Sequence, residues 1–218
     1  AARYIANSAF TARAYASAYG IESAIIPPTI AFEKYATEST RETVTYINLY
    51  PEKGLEKAIE LATACPDVPF LFVESWKLSP EAFAALEARL KPLRNVRLHR
   101  RTDDMRSIYG QTRLLLAPSR WAEAWGRVAS EAQCSGIPVL ASSQGGLPEA
   151  VGPGGVCLDY DAPLETWVRA LRGLWDDAAA YAALSAAALA HARRPQLQAA
   201  TQFRTFMSVL EAAAAEAR

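Results

Sequence analysis

The chain has no surplus of either charge. Lys and Arg together number 23, as do Asp and Glu, giving a formal net charge of zero and a pI near 7.0. No general field is available to gather nucleic acid or an anionic membrane, so any anion must be held by a local site. Cysteine is scarce: Cys65, Cys134 and Cys157 are odd in number and sit among apolar neighbours. That pattern excludes a disulfide framework and reads as free core thiols in a reducing compartment. The two histidines, His99 and His191, are isolated, and no Cys/His spacing suggests zinc. No apolar run approaches the roughly 20 residues needed to cross a bilayer, and no signal peptide is apparent. These absences point to a cytoplasmic protein, with peripheral attachment to a membrane still open.

What is present is an alternation of short apolar runs with helical patterns. The 218 residues suffice for one large domain, or one domain plus a fragment. Runs at 44–49, 70–73, 96–99, 114–116, 137–141 and 155–158 read as strands, with helices between them. The expected fold is α/β, a Rossmann-like doubly wound parallel sheet of about six strands with extra carboxyl-terminal helices. Asp103 is expected to cap a helix over 104–110. Beyond Asp161 the chain reads as helical throughout. Its last helix opens at Pro195, with Leu197, Ala200, Phe203, Met207 and Leu210 forming one apolar stripe that reads as core packing. The first 30 residues read as a strand, a helix over 9–19 capped by Ser8 and stopped by Gly20, and a strand ended by Pro27 and Pro28.

Residues 112–150 organise the rest. A buried strand ends at Pro118, an irregular loop carries Glu123, Gly126 opens a helix through about Ser135, and a second buried strand follows. This is a βαβ unit with a right-handed crossover. Ligands bind such sheets beyond the carboxyl ends of the strands, where Glu123, Trp125 and Gly126 fall. Two carboxylates, Glu123 and Glu131, stand with seven residues between them. Lys53 precedes the first helix of the region, where the helix dipole disfavours a cation unless an anion lies between them. Gly126 lets an anion approach the backbone and free amides of a helix start.

The stretch from Glu123 to Glu131, followed by Ala132, Gly136, Ile137, Pro138, Val139, Gly145, Gly146, Leu147, Pro148 and Glu149, resembles the signature of retaining family 4 glycosyltransferases. The resemblance implies the GT-B architecture of two Rossmann-like domains, with this stretch in the carboxyl-terminal, donor-binding one. It implies an interdomain crossover segment at 1–30, a donor domain at 31–218, and an acceptor half outside the chain. The implied activity is hexosyl transfer, with retention, from a nucleotide-sugar to an acceptor hydroxyl on a sugar, a lipid-linked or a small-molecule acceptor. No metal or other cofactor is expected, nor any nucleic acid or transmembrane segment. Glu123 and Lys53 are the implied catalytic residues. Glu123 would approach the sugar, Glu131 the ribose, and Lys53 with the backbone around Gly126 the diphosphate. Trp125, Arg127, Gly145 and Gly146 would complete the donor site, the two glycines as a mobile turn above the sheet. Topology places the nucleobase near His99 and Arg100.

Residues 48–54 resemble the family's Arg-x-x-x-x-Lys-Gly loop. Lys53 and Gly54 match, but Asn48 stands where the Arg would be. That removes a fixed bidentate cation while keeping a hydrogen-bonding group, with Arg127, Arg120 or a residue of the acceptor half as candidate substitutes. Glu74-Ser75-Trp76 occupies a turn where the family more often has glycine. In GT-B enzymes the final helix crosses back to the first domain, so the Phe203 and Phe206 surface is expected to be exposed here. The chain alone is expected to bind donor weakly and turn over little. The alternatives are an inactive nucleotide-binding or interaction module of GT-B origin, and a GT-B sugar-nucleotide epimerase.

Overall fold

The structure, a computed structural model, describes residues 2–216. The chain enters through a small parallel unit of β1 (Tyr4–Ala6), α1 (Ala9–Tyr19) and β2 (Ser23–Ile25). Ser8 caps α1 by accepting from Thr11 N at 3.0 Å, and Gly20 ends it in the left-handed conformation (φ 66°). The next two free amides of α1, Ala9 N and Phe10 N, donate at 2.7 Å to the carboxylate of Glu149, 140 residues on. A carboxylate at a helix amino end is favoured by both the orphan amides and the dipole, and here it moors the entry segment to the main body.

After α2 (Phe32–Tyr35) the main sheet is built from β3 (Thr43–Ile47), β4 (Phe70–Val73), β5 (Val96–His99), β6 (Thr112–Ala117), β7 (Val139–Ser142) and β8 (Gly155–Leu158). All pair in parallel, in the order β5-β4-β3-β6-β7-β8. The connections carry α3 (Leu55–Ala64), α4 (Pro80–Leu90), α5 (Met105–Tyr109), α6 (Arg127–Gln133) and α7 (Leu147–Val151). Helices α8 (Leu164–Asp176), α9 (Ala178–Ala192) and α10 (Ala199–Glu216) close the chain. Strand side chains alternate between two cores. Val44, Tyr46, Phe70, Phe72, Leu114 and Leu116 face α3, α4 and α8, where Trp167 is wholly buried. Leu71, Val73, Leu115 and Val139 face Tyr109, Ala129, Ala132 and Leu147 on the other side. The sheet order reverses between β3 and β6, so the crevice beyond their carboxyl ends is where a doubly wound sheet takes its ligand.

The sequence expectation fails in several local places, among them the start of the last helix: Pro195–Leu197 is a 3-10 turn and α10 begins only at Ala199. β3 stops at Ile47 because Asn48 takes a left-handed conformation (φ 80°) and turns the chain. α6 ends at Gln133, two residues before the expected end, and β7 begins only at Val139. Asp104, not Asp103, caps α5, its Oδ1 accepting from Ser107 N, while Asp103 points outward in an ion pair with Arg101. The apolar stripe divides: Leu197 is buried in the core, while Phe203 (64% exposed), Phe206 and Leu210 face outward, the exposure expected of Phe203 and Phe206. The buried side chain of α10 is Gln202, which donates to Pro27 O (2.9 Å) and accepts from Thr29 Oγ1 (2.8 Å). Among the described residues, no helix is long and apolar enough to cross a membrane.

One packing feature carries a pH dependence. His191 of α9 packs its ring against Gly152 and holds Nε2 3.3 Å from Glu149 O. Burial, and then the neighbouring Arg194 charge, hold its pKa below the usual 6.5. The folded state therefore favours neutral His191, and as pH falls through 6.5 the unfolded chain takes up the proton first. This contribution is present above pH 6.5 and is lost below it. Unfolding midpoints at pH 7.5 and 5.5 should fall less for His191→Gln than for the wild type; an equal fall would refute the assignment.

Candidate functional site

Two loops meet where the sheet order reverses. Beyond Asn48 the chain makes a 3-10 turn over Pro51–Lys53, and Gly54 (φ 86°) leads into α3. Glu52 O accepts from Arg120 N at 2.9 Å and Trp121 N at 3.0 Å, and Ser119 Oγ lies 3.2 Å away. These bonds fasten the β3 exit loop to the β6 exit loop. Their consequence is that Lys53 Nζ sits 2.6 Å from Glu123 Oε1, with Ser119 Oγ 3.1 Å from the same oxygen. Lys53 and Glu123 are 16% and 17% exposed, so the pair is largely shielded yet open to the crevice.

The Glu123 loop is gripped from behind. Gly146 N donates to Glu123 O at 2.6 Å, and a Cβ on Gly145 (φ 64°) would fall 2.3 Å from that oxygen. Gly145 and Gly146 thus form a packed turn that holds the loop. Trp125 is buried and its Nε1 donates to Ser130 Oγ at 3.0 Å. Gly126 (φ 96°) opens α6 with Leu147 pressed against it. One turn on, Glu131 is 8% exposed. Tyr109 OH donates to its Oε2 at 3.2 Å, and Arg127 approaches Oε1 at 3.4 Å. Burial, and then the Glu131 charge, push the Tyr109 hydroxyl well above its usual pKa, so it stays a donor.

Asn48, Lys53, Glu123, Trp125, Gly126, Arg127 and Glu131 all line one cleft of about 450 Å³. Gly145 and Gly146 do not line it. A second cleft of about 600 Å³ shares Ile47, Ser75, Trp76, Val128 and Glu131 with the first and continues to Lys34, Arg101 and Thr102. His99 and Arg100 line neither cleft; the Arg100 guanidinium lies 3.2 Å from the Phe83 ring centroid, on the α4 side. Of the two candidate substitutes for the missing cation within this chain, Arg127 faces the first cleft and Arg120 does not. Sequence reasoning gave no role to Asn7, Ser119 or Tyr109. Ser119 directly follows the Pro118 that ends β6, a position from which it had to face the crevice. Asn7 arrives from the entry segment, and nothing local in the sequence indicates that. Among the described residues, Asn7 Oδ1 and Asn48 Oδ1 are buried without a hydrogen-bond partner, and both residues line the cleft.

Among the described residues, no group of three or more His, Cys, Asp or Glu is placed to hold a metal ion. The chain's one Asp-x-Asp, Asp159-Tyr160-Asp161, is a turn in which Asp159 Oδ1 accepts from Asp161 N at 2.9 Å. It lines neither cleft. The cleft thus offers one shielded ammonium, two carboxylates and unpaired carboxamide oxygens. That set suits a ligand carrying both anionic and hydroxyl groups.

The sequence profile of the family described as Glycosyl transferases group 1 matches residues 29–190. A D-inositol 3-phosphate glycosyltransferase of Segniliparus rotundus is 32% identical over 169 residues, covering 72% of this chain and 37% of that protein. A second, from Catenulispora acidiphila, is 44% identical over 86 residues, covering 38% of this chain and 20% of its own. The chain therefore spans well under half the length of these curated relatives. Among solved structures, Anabaena HepE in complex with UDP superposes with a TM-score of 0.83 at 22% identity, over 97% of this chain and 64% of that one. A glycosyltransferase from Rickettsia africae gives 0.82 at 15% identity, over 95% and 62%. At such identities these two likenesses establish the fold. The family match spans most of the chain and includes both exit loops of the cleft, so this chain belongs to the glycosyl transferases group 1 family of GT-B fold.

Proposed function

We propose that residues 31–218 are the donor-binding domain of a retaining, metal-independent, nucleotide-sugar-dependent glycosyltransferase, with residues 1–30 as the crossover from an acceptor-binding part. The observation that carries this reading is the convergence of Lys53, Glu123 and Glu131 on one cleft at the reversal point of the sheet. Departure of a nucleotide diphosphate builds negative charge on the leaving oxygen, and a preorganised ammonium in a shielded site stabilises it. Lys53 exchanges its Glu123 partner for the diphosphate. Glu123, released, accepts from a hydroxyl of the sugar. Glu131, whose Arg127 contacts are long and easily given up, accepts from the vicinal ribose hydroxyls. The acceptor hydroxyl attacks the anomeric carbon on the face that the nucleotide leaves, as the bond to the diphosphate oxygen breaks, and its proton passes to that departing oxygen. The UDP bound in the structurally similar Anabaena protein agrees with a nucleotide-sugar donor.

A second reading, an interaction module of GT-B origin that binds no nucleotide, is favoured by Asn48, which brings no positive charge to the diphosphate position. Calorimetric titration of the chain with UDP, GDP and ADP at up to millimolar concentration separates the two. Heat with one of the three supports the donor reading and names its base. Silence with all three refutes it in favour of the interaction module.

A further inference from the structure

The cleft holds its single shielded cation between two unlike partners. On one side is the Glu123 carboxylate; on the other, 5.0 Å from Lys53 Nζ, is the ring centroid of Trp76. Trp76 is 53% exposed, and a lone exposed aromatic needs no explanation. This one is not alone. Tyr50 meets it edge-on with centroids 5.5 Å apart, and the Tyr50 hydroxyl donates to Lys77 O at 3.2 Å, bracing the turn that carries the indole. Glu74, buried at the start of that turn, accepts from Leu78 N and Arg101 N and fixes its base. Trp76 also lines both clefts, as Glu131 does, at the place where they join.

We propose that Trp76 is a positioning residue for Lys53 and the cover over the donor's diphosphate, in place of the second fixed cation that Asn48 does not provide. This rests on the donor reading of the cleft. Before a ligand arrives, Lys53 is shared by Glu123 and the indole. When the diphosphate draws the ammonium off Glu123, the negative face of the ring still holds it and keeps water from its other side. A cation that stays desolvated binds a phosphate more tightly than one that swings into solvent. No base stacking is involved, so the effect of the indole is confined to ligands that carry the diphosphate.

The test is calorimetric titration of the 218-residue chain and of its Trp76→Gly and Trp76→Phe variants with UDP and with uridine, or with the matching pair for whichever base binds. Trp76→Gly should weaken the diphosphate about tenfold and leave the nucleoside unchanged, while Trp76→Phe should stay within about threefold of the wild type. Undiminished diphosphate binding by Trp76→Gly overturns the proposal. An equal loss for the nucleoside also overturns it, by making the indole a base-stacking platform or a mere support of the turn. A wild-type chain silent to every nucleotide refutes the donor reading itself, a result distinct from either.

Discussion

Lys53→Ala is expected to weaken binding of the nucleotide diphosphate by about 100-fold or more while lowering the unfolding midpoint by only a few degrees. Two effects add on the binding side. A charge-assisted hydrogen bond is lost, worth about 1.5–3 kcal/mol. Glu123, now without its partner, turns a shielded negative charge toward the incoming anion, and about 2.7 kcal/mol in total corresponds to 100-fold. Stability changes less because Glu123 keeps the Ser119 hydroxyl at 3.1 Å and is reached by water through the cleft. A loss of about 1 kcal/mol in a chain of this size moves the midpoint by about 2–4 °C. Glu123→Gln in the Lys53→Ala background should recover part of the affinity, since it removes the repulsion without restoring the cation. Titration of the two variants beside the wild type, with a thermal scan of each, checks all three statements. Wild-type affinity in Lys53→Ala would sink the assignment of the diphosphate to this end of the cleft.

Much of this site was legible in sequence because it depends on residues close in the chain. Seven-residue spacing on a loop and the helix it leads into brings Glu123 and Glu131 to one side of the sheet. Lys53 is informative because a cation before a helix runs against the dipole. What was missed depends on distant segments meeting. Asn7 enters the cleft from the entry segment, Tyr109 reaches Glu131 from α5, and Glu149 leaves the signature region to cap α1. His99 and Arg100 stand at the end of β5, beside the second cleft. Arg100 turns to Phe83, and the next two residues face the second cleft.

The fold shows the same division. Short runs such as Phe70–Val73, apolar throughout and set between helical patterns, suit strands in a sheet covered on both sides. The last helix reads in sequence as having an apolar face because Leu197 and four further apolar residues recur at helical spacing. Its burial is decided by what is packed beside it, and the polar Gln202 faces the body because it satisfies Pro27 O and Thr29 in the segment leading into α2. Apolar periodicity reports that a helix has an apolar face, and only the neighbours determine whether that face is covered.

Gly54→Ala is expected to be the most damaging exchange of a hydrogen for a methyl among the site's glycines. At φ 86° any side chain at this position is strained by about 1–2 kcal/mol before it touches a neighbour. A Cβ built there falls 1.7 Å from Pro118 O and 2.6 Å from Pro118 C, both backbone atoms that no rotamer change can move aside. Either β6's exit or the Pro51–Lys53 turn must shift by more than an ångström. That shift breaks the bonds from Arg120 N and Trp121 N to Glu52 O and separates Lys53 from Glu123. Strain plus loss of these contacts amounts to about 3–5 kcal/mol, or roughly 10 °C in the midpoint, and nucleotide binding should disappear with it. Gly173→Ala is the matched control. Gly173 lies within α8 with nothing within 4 Å of a built Cβ, so the same methyl there should stabilise by about 0.5–1 kcal/mol through helix propensity alone. Opposite shifts in the two midpoints, with affinity lost only in the first, would establish that the close approach at Gly54 is what brings Lys53 to Glu123. A Gly54→Ala chain that melts near the wild type and keeps its affinity would show that the two loops find their geometry without it.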